Sequence, residues 1–299
     1  MTTSLSLDRD FASRRIMIAI NDGEMSVLRY GEKDAPPLLF GHANGFCASA
    51  YRQMFEALGG RFDIFGVDLR GFGATMLPTD SDRHRSMNVF AKDIRALVPA
   101  LAKRFGITQK WVLAGHSLGG VTMMLAAEGR DDVAALKLIE PAAMPHSWTL
   151  LTKTPIWPII ARKLPLVRAA RGRRASWPDR DSVLLSYSRK PFFSTFANGA
   201  LEDYLADGLR DEADKVVLSC SPQWEAATFA GHAHDFWGAA ANAPAPVSVM
   251  AAVHPTTTVP PSSLRGLEKR GARVVAVNGV SHLIPFEKPA LAAEFLAET

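Results

Sequence analysis

Lys110-Trp111-Val112-Leu113-Ala114-Gly115-His116-Ser117-Leu118-Gly119-Gly120 is the stretch that decides the fold. Residues 110–114 form a short apolar run of strand length, and residues 117–128 continue with helical spacing and no proline. The change from one period to the other falls on Gly115-His116-Ser117-Leu118-Gly119, which fits G-x-S-x-G. A serine at such a turn is held out beyond the end of its strand in a strained conformation. Small neighbours let the backbones on either side pass without Cβ atoms in the way. Ser117 is therefore read as a nucleophile.

Outward from this turn, strands and helices alternate. Strands are predicted at residues 15–20, 25–30, 38–41, 62–67, 110–114 and 135–139, with an Asn-Asp-Gly turn signal between the first two. The runs at 38–41 and 62–67 are almost continuously apolar, which suits strands covered on both faces. Helices are predicted at 48–58, stopped by Gly59 and Gly60, and at 88–105 and 117–128. After Pro141 the alternation breaks. It resumes with a strand at 247–251, a helix at 262–270, a strand at 273–277 and a helix at 289–297. Residues 1–141 and 246–299 thus read as one core domain, and 142–245 as an inserted, mostly helical cap. Pro155, Pro158, Pro165 and Pro178 keep its helices short.

The chain has 299 residues, 47% of them hydrophobic and 21% charged, the composition of a globular protein with a substantial core. Residues 1–10 carry acids where a signal peptide needs an apolar run, and no stretch approaches the about 18 consecutive apolar residues of a membrane span. A cytoplasmic protein without stable membrane insertion is the expectation. Cys47 and Cys220 read as small buried hydrophobes, and no Cys/His spacing suggests zinc. The net charge of +4 is local in origin: Arg162, Lys163, Arg168, Arg171, Arg173 and Arg174 fall within thirteen residues, and no nucleic-acid motif accompanies them. Interleaved with Ile159, Ile160, Leu164, Leu166 and Val167, they read as a cap helix with its apolar face on a pocket and its charges in water. An amphipathic surface meeting lipid or an anionic substrate is the alternative.

Four ordered blocks carry a family resemblance: His-Ala-Asn-Gly-Phe at 42–46, Asp-Leu-Arg-Gly-Phe-Gly at 68–73, Gly-His-Ser-Leu-Gly-Gly at 115–120, and Gly-Val-Ser-His-Leu-Ile-Pro-Phe-Glu-Lys-Pro at 279–289. The chain resembles the α/β-hydrolase family, in its serine-hydrolase, esterase-like branch. Ser221-Pro222-Gln223-Trp224-Glu225-Ala226 is similar to a subset of the same family. The resemblance implies a mostly parallel eight-stranded sheet flanked by helices, with the cap inserted after the sixth strand. It implies His282 as the base serving Ser117, and an oxyanion hole from the backbone N–H groups of Leu118 and Phe46. No cofactor or metal is implied, and the partner is a small-molecule acyl substrate. Asp is absent at the nucleophile position, which argues against the dehalogenase and epoxide-hydrolase branches.

The acid departs from the family pattern. Most members place an Asp after the strand at 247–251, yet Ala252-Val253-His254-Pro255-Thr256-Thr257-Thr258 follows here, and no acid occurs between Asp235 and Glu268. Glu140, ending the strand beside that of the nucleophile, is the leading candidate and keeps the order Ser, Glu, His. A cap residue such as Asp235, or no acid at all, are the alternatives. An Asp introduced at Thr256 or Thr257 is expected to replace part of the function of Glu140.

Asp68, Arg70 and His116 read as structural neighbours of the site, and His232, His234 and Asp235 as cap-packing residues rather than metal ligands. A carboxylic ester or related acyl bond is the expected substrate, with thioester, lactone, amide and C–C bonds open. A non-hydrolytic binding protein and an acyltransferase are the rival readings.

Overall fold

Leu38, Leu39 and Phe40 show how the sheet is sandwiched. In a strand, successive side chains leave opposite faces. Leu38 and Phe40, with Ile64, Val112 and Ala114, pack against Met54, Phe55, Ala292 and Phe295 on one side; Leu39, with Phe65, Val67 and Leu113, packs against Phe90, Ile94, Leu97, Val121 and Met124 on the other. Helices Arg52–Leu58 and Pro289–Ala297 cover the first face, and Asn88–Phe105 and Leu118–Ala127 the second. The computed structural model describes residues 10–298, so the stretch 1–10, read in the sequence as unlike a signal peptide, falls almost wholly outside the described residues.

The strands are β1 (Arg15–Ile20), β2 (Gly23–Gly31), β3 (Pro37–Gly41), β4 (Asp63–Val67), β5 (Trp111–His116), β6 (Val133–Ile139), β7 (Ser176–Trp177), β8 (Leu209–Glu212), β9 (Lys215–Leu218), β10 (Val247–Ala252) and β11 (Arg273–Val277). Eight of them form the main sheet in the order β1-β2-β4-β3-β5-β6-β10-β11. β2 runs antiparallel to both of its neighbours, and every pairing from β4 to β11 is parallel. This is the α/β-hydrolase fold. Because β3, β5, β6, β10 and β11 share one direction, their C-terminal ends open on one edge of the sheet, where ligand sites of α/β sheets form.

Between β6 and β10 the chain leaves the main sheet. This segment holds short helices and a separate three-stranded antiparallel sheet, β7-β9-β8, so it is less purely helical than expected. Ser221 caps helix Pro222–Ala230 by accepting the N–H of Trp224 at 3.2 Å, with Pro222 at the first helical position, where no amide is needed. The Trp224 indole N–H donates to the carbonyl of Arg70 at 2.8 Å, and the Asn44 side-chain amide donates to the carbonyl of Glu225 at 3.0 Å. The 221–226 block therefore fastens the segment onto the core. One expectation is corrected. Ile159 and Leu166 do not face a pocket but are exposed, while Val167 packs inward on Ala170 and Ala226.

Asp68 and Arg70 serve the scaffold. The Asp68 carboxylate accepts the N–H groups of Ala48 at 2.8 Å and Ala74 at 3.0 Å. Arg70 is buried, and its guanidinium grips the buried Asp93 in two bonds of 2.9 and 2.6 Å while also reaching the carbonyl of Pro78 and the exposed Asp22 carboxylate at 2.9 Å. Removing one member of a buried ion pair strands the other charge. Asp93→Ala leaves Arg70 only the exposed Asp22 as a carboxylate partner and is expected to lower unfolding stability by about 3 kcal/mol in urea denaturation, the low end for a broken buried pair. A loss near that of an exposed pair, below about 1 kcal/mol, would show that Arg70 does not depend on it.

Candidate active site

Ser117 stands between β5 and helix Leu118–Ala127 with φ 54 and ψ −110, a conformation that L-residues rarely adopt. Two features hold it there. Its N–H donates to the carbonyl of Ile139 at 3.0 Å and its carbonyl accepts from Ala142 at 3.2 Å, so β6 braces the turn. Gly119 lies so close to β3 that a Cβ would stand 2.0 Å from the Gly41 carbonyl oxygen. The helix therefore starts where only glycine permits. Ser117 Oγ makes no hydrogen bond among the described residues.

Glu140, the residue after β6, is the second strained position. Only three non-glycine residues among those described have positive φ, and Ser117 and Glu140 are two of them. The Glu140 side chain is fully buried and accepts bonds from both directions. Oε1 takes the N–H of Ala252 at 2.6 Å and the hydroxyl of Thr257 at 2.9 Å; Oε2 takes the N–H of Thr258 at 3.0 Å and Nδ1–H of His282 at 2.9 Å. The Thr258 hydroxyl donates to the main-chain carbonyl of Glu140 at 2.8 Å. Glu140 thus meets His282, whereas Asp235 caps helix Phe236–Ala241 by accepting the N–H of Gly238 at 2.9 Å.

The loop after β10, where the family resemblance places an acid, holds a carboxylate from elsewhere. Thr257 and Thr258 were not singled out in the sequence as ligands of Glu140. Their signal was the missing Asp itself: a loop without an acid but with three consecutive threonines. In the wild-type chain an Asp at Thr257 would set its carboxylate against the oxygens of Glu140 in place of a donor. Thr256 bonds elsewhere, accepting the N–H of His282 at 3.3 Å and pairing with His254 Nδ1 at 2.8 Å.

His282 is placed from two sides. Its Nδ1 is held by Glu140, and its carbonyl accepts from Nε2 of His116 at 2.9 Å, with the two imidazoles 4.8 Å apart. His116 precedes Ser117, so this bond brings the loop of His282 to the turn that holds Ser117. A single tautomer satisfies His116: Nε2–H donates to His282, and Nδ1 accepts the Tyr51 hydroxyl at 2.8 Å, whose oxygen in turn accepts the N–H of Ala43 at 2.9 Å. Burial, with the neighbouring His282, holds His116 neutral, well below the usual histidine range. Tyr51 links His116 to the turn at Ala43, a contact with no signal in the sequence. His282 Nε2 has no hydrogen-bond partner among the described residues, and neither it nor Ser117 Oγ is bonded to the other here.

His42 is neutral as well, pushed down to about 4 by burial. Its Nδ1–H donates to the Ala43 carbonyl and its Nε2 accepts from Leu69, while its own carbonyl accepts the N–H of Gly119 at 3.0 Å. The assignment of Phe46 is corrected: its N–H donates to the carbonyl of Ala43 at 3.1 Å and closes a turn with Gly45 at φ 80. The uncommitted amides of this turn are those of Asn44 and Gly45. On the other side, the N–H of Leu118 opens its helix and has no carbonyl one turn back to meet.

The remaining sequence candidates lie outside this group. Cys47 and Cys220 are buried free thiols, each pushed up by burial. His232 and His234 sit against each other and are held neutral by burial, at about 4 and about 3. No three His, Cys, Asp or Glu side chains among the described residues are grouped to hold a metal, and no described helix is long and apolar enough to cross a membrane.

A curated relative, protein phosphatase methylesterase 1 of Schizosaccharomyces pombe, is 29% identical over 126 residues, covering 39% of this chain and 36% of its own. The chain thus spans about a third of that relative's length. Among solved structures, E-2-(acetamidomethylene)succinate hydrolase superposes with a TM-score of 0.74 at 20% identity, over 94% of this chain and 96% of its own. The enol-lactonase from Burkholderia xenovorans LB400 superposes with a TM-score of 0.64 at 20% identity, over 95% of this chain and all of its own. A family model described as the alpha/beta hydrolase family matches residues 38–295, which is most of the chain, and so the protein belongs to the alpha/beta hydrolase family.

Proposed function

We propose that this hydrolase-family protein cleaves a carboxylic ester or related acyl bond through an acyl-Ser117 intermediate. The observation that carries the reading is the 2.9 Å bond from His282 Nδ1 to a buried Glu140, beside a strained serine with a free hydroxyl. In this reading His282 Nε2 accepts the Ser117 proton as Oγ attacks the acyl carbon. The imidazolium that forms is stabilised by the Glu140 carboxylate, which also fixes the tautomer by taking Nδ1–H. His282 then protonates the leaving group, and water activated by the same nitrogen releases the acyl group. The Oγ–Nε2 bond, not made here, forms with substrate, as catalytic bonds often tighten only in the complex.

Negative charge on the carbonyl oxygen needs preformed donors. The N–H of Leu118 is one, aided by the helix N-terminus. The second is drawn from Asn44 and Gly45, whose amides the turn leaves open. The segment 142–245 acts as a cap that supplies the walls of the acyl pocket, since its helix Pro222–Ala230 lies on the Asn44 turn. Ester chemistry agrees with the methylesterase named among the relatives. The missing acid after β10 was the ground for a non-catalytic binding protein, and the bond from His282 to Glu140 favours the enzyme reading over it.

Two outcomes test the reading. Wild-type protein is expected to be labelled once by a fluorophosphonate, at Ser117 by peptide mapping, and to hydrolyse p-nitrophenyl esters. Ser117→Ala should lose both while keeping its melting temperature, and turnover persisting in a pure, folded Ser117→Ala sample would exclude the serine route. Glu140→Gln should lower kcat about 10³- to 10⁴-fold with little change in KM, because the carboxylate acts chiefly in the transition state. Thr257→Asp in the wild-type background should also lower kcat, because it replaces a donor to Glu140 by a second carboxylate. A Glu140→Gln enzyme within a few-fold of wild type would remove Glu140 from the reaction.

A further inference from the structure

The outer side of the inserted segment carries a surface that the hydrolytic reading does not use. Between Glu140 and Asp179 the sequence has seven Lys or Arg and no acid. Five of the nine large hydrophobic side chains left exposed among the described residues fall in the same stretch: Trp148, Leu150, Ile156, Ile159 and Leu166, with exposures from 41% at Trp148 to 78% at Leu150.

Three short helices, His146–Thr152, Trp157–Ala161 and Pro165–Arg171, display these groups. Each is anchored inward by other residues. Trp157 is buried and donates its indole N–H to the carbonyl of Ala230 at 2.7 Å, and Val167 and Ala170 pack on Ala226. The outward positions are therefore not spare core residues. Ile156, Ile159, Ile160 and Lys163 follow helical spacing along the side opposite Trp157 and Ala161. An ordinary surface helix would be polar there. Arg162, Lys163, Arg168 and Arg171 are exposed beside them and form no ion pair among the described residues.

Separate apolar side chains with unpaired cations between them match one partner chemistry: acyl chains below a layer of anionic headgroups. We infer that residues 146–171 dock the protein reversibly on an anionic lipid surface, with Trp148, Leu150, Ile159 and Leu166 entering the interface and the flanking Arg and Lys side chains meeting the headgroups. Charge complementarity selects this occupant, because a protein groove for the same apolar row would have to neutralise a stretch that holds no acid of its own. The inference does not rest on the proposed catalysis and is tested without it.

Full-length protein is mixed with vesicles of phosphatidylcholine alone, or of phosphatidylcholine with phosphatidylglycerol, and the bound fraction is read by co-sedimentation. Binding is expected to the anionic vesicles and to weaken as salt is raised. Each cation beside an anionic leaflet contributes about fivefold in partition. The triple variant Arg162→Gln, Lys163→Gln, Arg168→Gln should therefore lose about a hundredfold. Ile159→Ser with Leu166→Ser should also release the protein while its melting temperature stays unchanged. A matched triple elsewhere, Arg61→Gln, Lys103→Gln, Arg104→Gln, should leave partition within a few-fold of wild type. Absence of binding to anionic vesicles at low salt, equal binding to both vesicle types, or an equal loss in the matched triple would overturn the inference. So would a concentration-dependent dimer, abolished by the Ile159 and Leu166 changes, in place of vesicle binding.

Discussion

The arrangement depends on one buried carboxylate. Glu140 lies beyond the reach of water, where an ionised group survives only if its oxygens are filled by donors. Those donors come from one loop, 252–258, and from His282. The loop has no acid to offer and instead presents an amide at Ala252, a hydroxyl at Thr257 and an amide at Thr258. Acid and cradle have exchanged places across the gap between β6 and β10, which are neighbours in the sheet. The exchange is possible because both strands end on the same edge, so a side chain from either reaches the same imidazole.

Strain is concentrated at the two residues that β5 and β6 deliver. Ser117 and Glu140 both hold positive φ, and each is fixed by backbone bonds to its neighbour strand: Ser117 N–H to Ile139, Glu140 N–H to Met250. A cost of about 1–3 kcal/mol per strained residue is sustained by packing that allows no relaxation, and Gly119 against Gly41 is that packing for the serine. A second network, from Ala43 through Tyr51 and His116 to His282, ties the nucleophile turn, the turn at 43–46 and the base loop together with every ring nitrogen of His116 used. Neutral, fully satisfied His116 is a strut between the two functional residues, not a proton carrier.

Much of this was legible in the chain. Periods of two and 3.6 alternate clearly enough to place the eight strands of the main sheet within a few residues, and the G-x-S-x-G turn identifies Ser117 because few other folds need glycine on both sides of a serine. Glu140 is named by its place at the end of the strand beside that of Ser117 and by the family resemblance, with Asp235 or no acid as the alternatives. What stayed hidden involves partners distant in sequence. Phe46 looked like a free amide because a turn closing on Ala43 leaves no mark beyond a glycine that either arrangement would require. Tyr51 and the threonines at 257 and 258 gain their roles from residues about 65 to 118 positions away. The exposed row at Ile159 and Leu166 was misplaced since hydrophobic periodicity marks a helix without saying which of two apolar sides is covered.

The central claim, that Glu140 acts on the reaction only through His282, is tested most directly by a kinetic double-mutant cycle. Rates of ester hydrolysis are compared for wild type, Glu140→Gln, His282→Ala and the double variant. Groups that act as a unit are strongly non-additive. The account predicts that His282→Ala and the double variant hydrolyse at the same residual rate, the second change costing nothing once the imidazole is gone. Losses that multiply, with the double variant slower than His282→Ala by the full factor seen for Glu140→Gln alone, would contradict it.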